Sequence, residues 1–170
     1  QTKNQRPIIT RSKKQKTMLI GSTASTTGSL AYLAGSHLWG DYTMNALVDW
    51  LNADSFALLV RYKDSENYIS CSFSSYGYSV QMIEYKNGIS RILGELSNPP
   101  SFVYEPWRDV NLGVWVSGNT IECIATDKSV LRRSLDTVPL AGGIGIKSWS
   151  KNLDYQLMRI KSITVKPLVL

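Results

Sequence analysis

The sequence has one histidine and two cysteines in 170 residues, and each scarcity narrows the chemistry open to it. The histidine, His37, stands in the Gly-Ser loop GSHLWG and reads as a loop residue rather than a general base. Cys71 and Cys123 make neither a disulfide framework nor a metal motif. Each has apolar neighbours at strand spacing, Ile69-Cys71-Phe73 and Ile121-Cys123-Ala125, so two core thiols are expected in preference to a disulfide. No run of about 18 apolar residues is present, which excludes a spanning helix. Sustained helical periodicity is absent as well, and so are internal repeats, which argues against a propeller or solenoid. The first residue is not Met, and no charged stretch leads into an apolar one, so a processed chain or a part of a longer protein is expected.

Acids are missing from residues 1–17, which hold Lys3, Arg6, Arg11, Lys13, Lys14 and Lys16. The net charge of +6 therefore belongs to this stretch, because the remaining basic residues balance the 13 acids. Phosphate binding needs charge organised on a surface, so nucleic acid is not the expected partner. Residues 1–17 read as a basic arm or linker, and 18–170 as one domain of a size able to bury a core without metal or disulfide staples.

What is abundant is alternation. In SFALLVRYKDSENYISCSF, Phe56, Leu58, Val60 and Tyr62 alternate with Ala57, Leu59, Arg61 and Lys63. A polar break follows, and then Ile69, Cys71 and Phe73 alternate with Tyr68, Ser70 and Ser72, which is the pattern of a β-hairpin. Asn87-Gly88 between two alternating runs predicts a second, with positive φ at both turn residues. Further strands are expected near 18–20, 29–34, 41–50, 109–117, 120–126, 130–133, in GIGIKSW and over 155–165. Ten or more short strands joined by turns leave a two-sheet sandwich or a closed barrel.

The order of these features resembles the concanavalin A-like lectin/glucanase superfamily, nearest its laminin-G-like and carbohydrate-binding-module branches. The resemblance is carried by Asp41-Tyr42 opening a strand, LLVRYKDSENYIS, the Asn-Gly hairpin, Trp107 before an alternating strand, SGNTIECIATD, GGIGIKS and RIKSITV, over residues 20–168. It implies an all-β fold, a two-sheet antiparallel jelly-roll β-sandwich whose curved face or rim loops bind carbohydrate in many members. The superfamily's glucanases place acids in alternation on one strand, for a nucleophile and an acid about 5 Å apart. No strand here does so, and Glu84 and Glu95 stand apart across a hairpin. Its lyases need a His, a Tyr and an Arg around a uronate, and His37 lacks their motif. An enzyme is therefore not expected. No cofactor is expected either, though Asp41, Asp64, Glu66 and Asp154 leave room for a structural calcium at the rim.

Sugar recognition uses flat rings that stack on a pyranose and planar polar groups that read its hydroxyls. Strand alternation puts Asn45, Asp49, Arg61, Tyr68, Ser70, Gln81, Tyr85, Asn111, Trp115, Glu122, Lys147 and Trp149 opposite the core. From these, Arg61, Gln81 and Glu122 are the expected hydrogen-bonding groups, and Tyr68, Tyr85, Trp115 and Trp149 the expected rings. The competing reading of Arg61 is an ion pair with Asp49 or Glu122 across a sheet. The expected function is a non-catalytic, lectin-like domain of a larger extracellular or cell-surface protein, with an oligo- or polysaccharide as partner. The alternative is a structural or adhesion module, such as a coat or appendage subunit, assembling through the N-terminal arm.

Overall fold

The computed structural model describes residues 8–11, 18–22, 28–50, 54–75, 78–100, 102, 108–137, 139–149 and 156–168. These hold thirteen strands and no helix. In chain order they are β1 (Ile8–Arg11), β2 (Met18–Ser22), β3 (Ser29–Tyr32), β4 (Tyr42–Trp50), β5 (Ser55–Asp64), β6 (Asn67–Ser74) and β7 (Ser79–Lys86). They continue as β8 (Ile89–Ser97), β9 (Asp109–Ser117), β10 (Thr120–Ala125), β11 (Lys128–Ser134), β12 (Gly143–Trp149) and β13 (Gln156–Pro167). Two antiparallel sheets result, one of seven strands in the order β1-β2-β13-β4-β9-β10-β11 and one of six in the order β3-β12-β5-β6-β7-β8. The chain is an all-β jelly-roll sandwich: of the sandwich and the barrel that strand spacing allows it forms the sandwich, and in the jelly-roll form that the resemblance implies.

Period-two alternation decides which side chains meet between the sheets. Tyr42, Met44, Ala46 and Val48 of β4 and Leu112, Val114 and Val116 of β9 pack against Phe56, Leu58 and Val60 of β5 and Ile69, Cys71 and Phe73 of β6. Cys71 and Cys123 are not free thiols. They form a disulfide across the core, Cα atoms 5.6 Å apart, joining β6 of one sheet to β10 of the other. Alternation places both cysteines inward, and only the stacking of the two sheets brings them opposite each other.

Both hairpins form where the turn residues ask for them. Asn87 and Gly88 have φ of 53° and 76°, the positive values a type I′ turn requires. In the β5–β6 hairpin the Asp64 carboxylate accepts from the Glu66 amide (2.9 Å) and the Asn67 side-chain amide (2.8 Å), closing the turn. Ile8–Arg11, within the stretch expected as an arm, pair with Met18–Ser22 as the edge strand of the seven-stranded sheet. The other cations of that stretch, together with Trp107 and Asp154, lie outside the described residues.

Candidate functional site

The outer face of the six-stranded sheet is assembled from cross-strand rows. In register, Leu30, Lys147, Ala57, Ser72, Gln81 and Glu95 form one row from β3 to β8. The next is Tyr32, Gly145, Leu59, Ser70, Ile83 and Ile92, and beyond it Tyr68 lies beside Tyr85. Ala57, Ser70 and Ser72 are buried although they face away from the main core. Their small side chains form a floor beneath large rings. Ala57, Leu59, Tyr62 and Tyr68 make a second apolar cluster, with Leu30, Tyr85 and Trp149 packed on it.

The rings run in series. Tyr32 stacks on Tyr62 (centroids 5.1 Å), Tyr62 on Tyr68 (6.0 Å) and Tyr68 on Tyr85 (4.4 Å). Lys147 lies among them, its Nζ 4.9 Å from the Tyr85 ring centre and 5.7 Å from those of Tyr68 and Trp149. It donates to the Tyr68 hydroxyl at 3.0 Å. Burial lowers the Lys147 pKa, because the charged ammonium gives up hydration. Burial also raises Tyr62, Tyr68 and Tyr85, and for Tyr68 the neighbouring Tyr85 adds to the effect. Beside Tyr68 and Tyr85 a cavity of about 220 Å³ opens, lined also by Lys63, Asn67, Glu84 and Lys86.

The expected site residues divide among three places. Tyr68, Gln81, Tyr85 and Trp149 share the face just described. Trp115 and Glu122 are direct cross-strand partners on the outer face of the seven-stranded sheet. There Arg132 lies 5.5 Å over the Trp115 ring and 3.8 Å from Glu122. The two groups are on opposite sides of the molecule, since alternation tells inside from outside but not one sheet from the other.

Arg61 borders the same cavity as Tyr68 and Tyr85, but its side chain, 1% exposed, is directed to the end of the sandwich. A register break between Val60 and Asp64 and a φ of 52° at Arg61 interrupt β5. The break turns Tyr62 to the outer face, where strict alternation would set it inward, and turns the guanidinium to the end of the sandwich. Nη1 donates to the carbonyls of Gly40 (2.7 Å) and Leu140, Nη2 donates to that of Gly118 (2.9 Å), and Asp41 lies 3.6 Å away. Arg61 thus ties three rim segments together. Neither rival partner engages it, for Asp49 pairs with Arg159 (3.0 Å) and Glu122 with Arg132. Gly142 passes so close to Arg61 that a Cβ there would lie 2.6 Å from the Arg61 Cα.

Similar solved structures share this fold. The carbohydrate binding module CBM66 from Bacillus subtilis superposes with a TM-score of 0.67 at 16% identity, covering 95% of this chain and 92% of its own. The Caenorhabditis elegans galectin LEC-6 gives 0.60 at 10% identity, covering 86% of this chain and 95% of its own. The chain has the concanavalin A-like jelly-roll fold. Alginate lyase AlgAT5, of polysaccharide lyase family 7, matches this concanavalin A-like sandwich at 0.62 and 13% identity, covering 95% and 82% of the two chains. Binding modules and enzymes therefore both occur among its structural neighbours. No family model matches the chain, and neither does any curated protein.

Sequence reasoning passes over two members of the ring series in this fold, Tyr32 and Tyr62. Tyr62 carries no signal, because the break that turns it outward depends on a non-glycine residue with positive φ. Tyr32, 60% exposed, sits at the end of a four-residue strand too short to show a period.

Proposed function

We propose that this domain binds carbohydrate without catalysis, on the outer face of the six-stranded sheet. Tyr85 and Trp149 supply flat, half-buried rings, Gln81 and Lys147 supply hydrogen bonds, and Tyr68 holds Tyr85 and Lys147 in place. The observation that carries this reading is the ring series over a floor of small side chains, with one ammonium among the rings. A row of aromatic faces with few convergent polar groups is what a pyranose can stack on. The binding modules and galectins among the structural neighbours support it. The Cys71–Cys123 bond supports an extracellular or surface location, because such bonds persist in oxidising compartments.

Tryptophan fluorescence titrated with a panel of polysaccharides tests the reading. Trp149→Ala and Tyr85→Ala are expected to weaken glycan binding by at least about tenfold, equivalent to ~1.4 kcal/mol. Trp115→Ala, on the opposite sheet, is expected to leave it unchanged. Equal losses from Trp115→Ala and Trp149→Ala would count against this face.

A second reading, adhesion through protein contacts, is favoured by β8. This strand ends its sheet and exposes Ile89 (73%) and Ile92. An apolar edge strand of that kind is a template for pairing with another chain. Sedimentation of the chain against an Ile89→Lys, Ile92→Lys variant distinguishes the two, since adhesion through this edge predicts self-association that the variant loses.

A further inference from the structure

We propose that the outer face of the six-stranded sheet selects carboxylated glycans, with Lys147 as the residue that receives the carboxylate. The proposal deepens the carbohydrate reading and rests on it. An ammonium has three donors. At Lys147 the Tyr68 hydroxyl takes one, and the rings of Tyr68, Tyr85 and Trp149 attract the charge without accepting as a carboxylate does. Among the described residues, Arg61 pairs with Asp41, Arg91 with Glu84, Arg132 with Glu122, Arg159 with Asp49 and Lys161 with Asp109, so each of these acids already has a cation. Lys147 is in none of these pairs.

The nearest acid in its own cross-strand row is Glu95, four strands away at the edge of the sheet. A half-buried cation with no counter-ion among the described residues is costly, and burial accordingly lowers its pKa. A ligand anion offsets that cost, and a ligand that also stacks on the rings must carry its anion on a flat, partly apolar body. A sugar acid has both features.

The adjoining cavity has the same sign. Lys63 and Lys86 line it together with Tyr68 and Tyr85, and its lining acid, Glu84, is engaged by Arg91 at 2.9 Å. A polymer of sugar acids would present its next carboxylate there.

The test is affinity electrophoresis of the full chain through polygalacturonate, through the same polymer after carboxyl reduction to a neutral galactan, and through dextran sulfate. The wild type is expected to bind polygalacturonate at least about tenfold more tightly than the reduced polymer. Lys147→Gln, with folding checked by circular dichroism, is expected to lose that preference, and Lys147→Arg to keep most of it. The basic residues of the 1–17 stretch are the same in all variants, so any attraction they exert cancels between variants, and the part of the preference lost in Lys147→Gln is the part that reports on Lys147.

Equal wild-type binding to the acidic and reduced polymers would overturn the proposal while leaving carbohydrate binding standing. So would an undiminished preference in a folded Lys147→Gln protein, or tighter Lys147-dependent binding to dextran sulfate. If the folded wild type bound none of these polymers or any other glycan, the carbohydrate reading would fail with it.

Discussion

Arg61 accepts a left-handed backbone conformation, which an L-residue with a long side chain rarely adopts, and holds it through its guanidinium. Its bonds reach the carbonyls of Gly40, Leu140 and Gly118, and the Asp41 carboxylate beside it also accepts from the Gly118 amide at 2.8 Å. Removing the buried guanidinium leaves a partly exposed carboxylate and several carbonyls unmatched. Arg61→Ala is therefore expected to lower stability by about 3–5 kcal/mol, measured by equilibrium urea denaturation. A loss under ~1 kcal/mol would mean that the rim segments hold without it. Lysine is not an equivalent replacement, since a single ammonium cannot match carbonyls spread over three segments. In the sequence Arg61 is visible as a charge in an otherwise apolar run, which correctly marks it as unusual. The kind of role it plays is not visible, because Gly40, Gly118 and Leu140 are brought to it from distant parts of the chain.

Apart from β1, which falls in the stretch read as a basic arm, the strands are legible almost to their ends. Short β-branched and aromatic runs bounded by Asn-Gly, Ser-Gly-Asn and Gly-Gly turns leave little choice of register along each hairpin. What alternation cannot tell is which outward face belongs to which sheet. Trp115 and Trp149 obey the same local rule and end on opposite sides of the sandwich, and so do Glu122 and Gln81. The disulfide has the same origin, since it depends on β6 lying over β10. The bond closes a 52-residue loop and is expected to contribute about 4 kcal/mol by restricting the unfolded chain. Urea unfolding of a Cys71→Ser, Cys123→Ser protein should show a loss of that order, and unfolding the wild type under reductant should match it. Coincident transitions with and without reductant would contradict the expectation.

Across the whole molecule, ring burial sets the response to alkali. Tyr42, between the sheets, is pushed up to about 12 by burial, and Tyr62, Tyr68 and Tyr85 are also raised above the ordinary value of 10.0. From pH ~10 upward the unfolded chain loses tyrosine protons that the folded chain keeps. The unfolded state then binds fewer protons, and stability falls as pH rises toward 12. Circular dichroism across this range should show unfolding together with tyrosinate absorbance from the buried rings; full tyrosinate absorbance with native ellipticity would contradict it. The all-β class, the two hairpins, the inward-facing residues other than Tyr62 and the excess charge of residues 1–17 can be read from the chain alone, because each depends on near neighbours through alternation, turn chemistry or composition. Sheet packing in three dimensions sets the Cys71–Cys123 bond, the rim contacts of Arg61, the ring series from Tyr32 through Tyr62 to Tyr68 and Tyr85, and the placing of Lys147 among Tyr68, Tyr85 and Trp149. These depend on which sheet lies over which and on one break in β5, and neither is encoded in the local period of the chain.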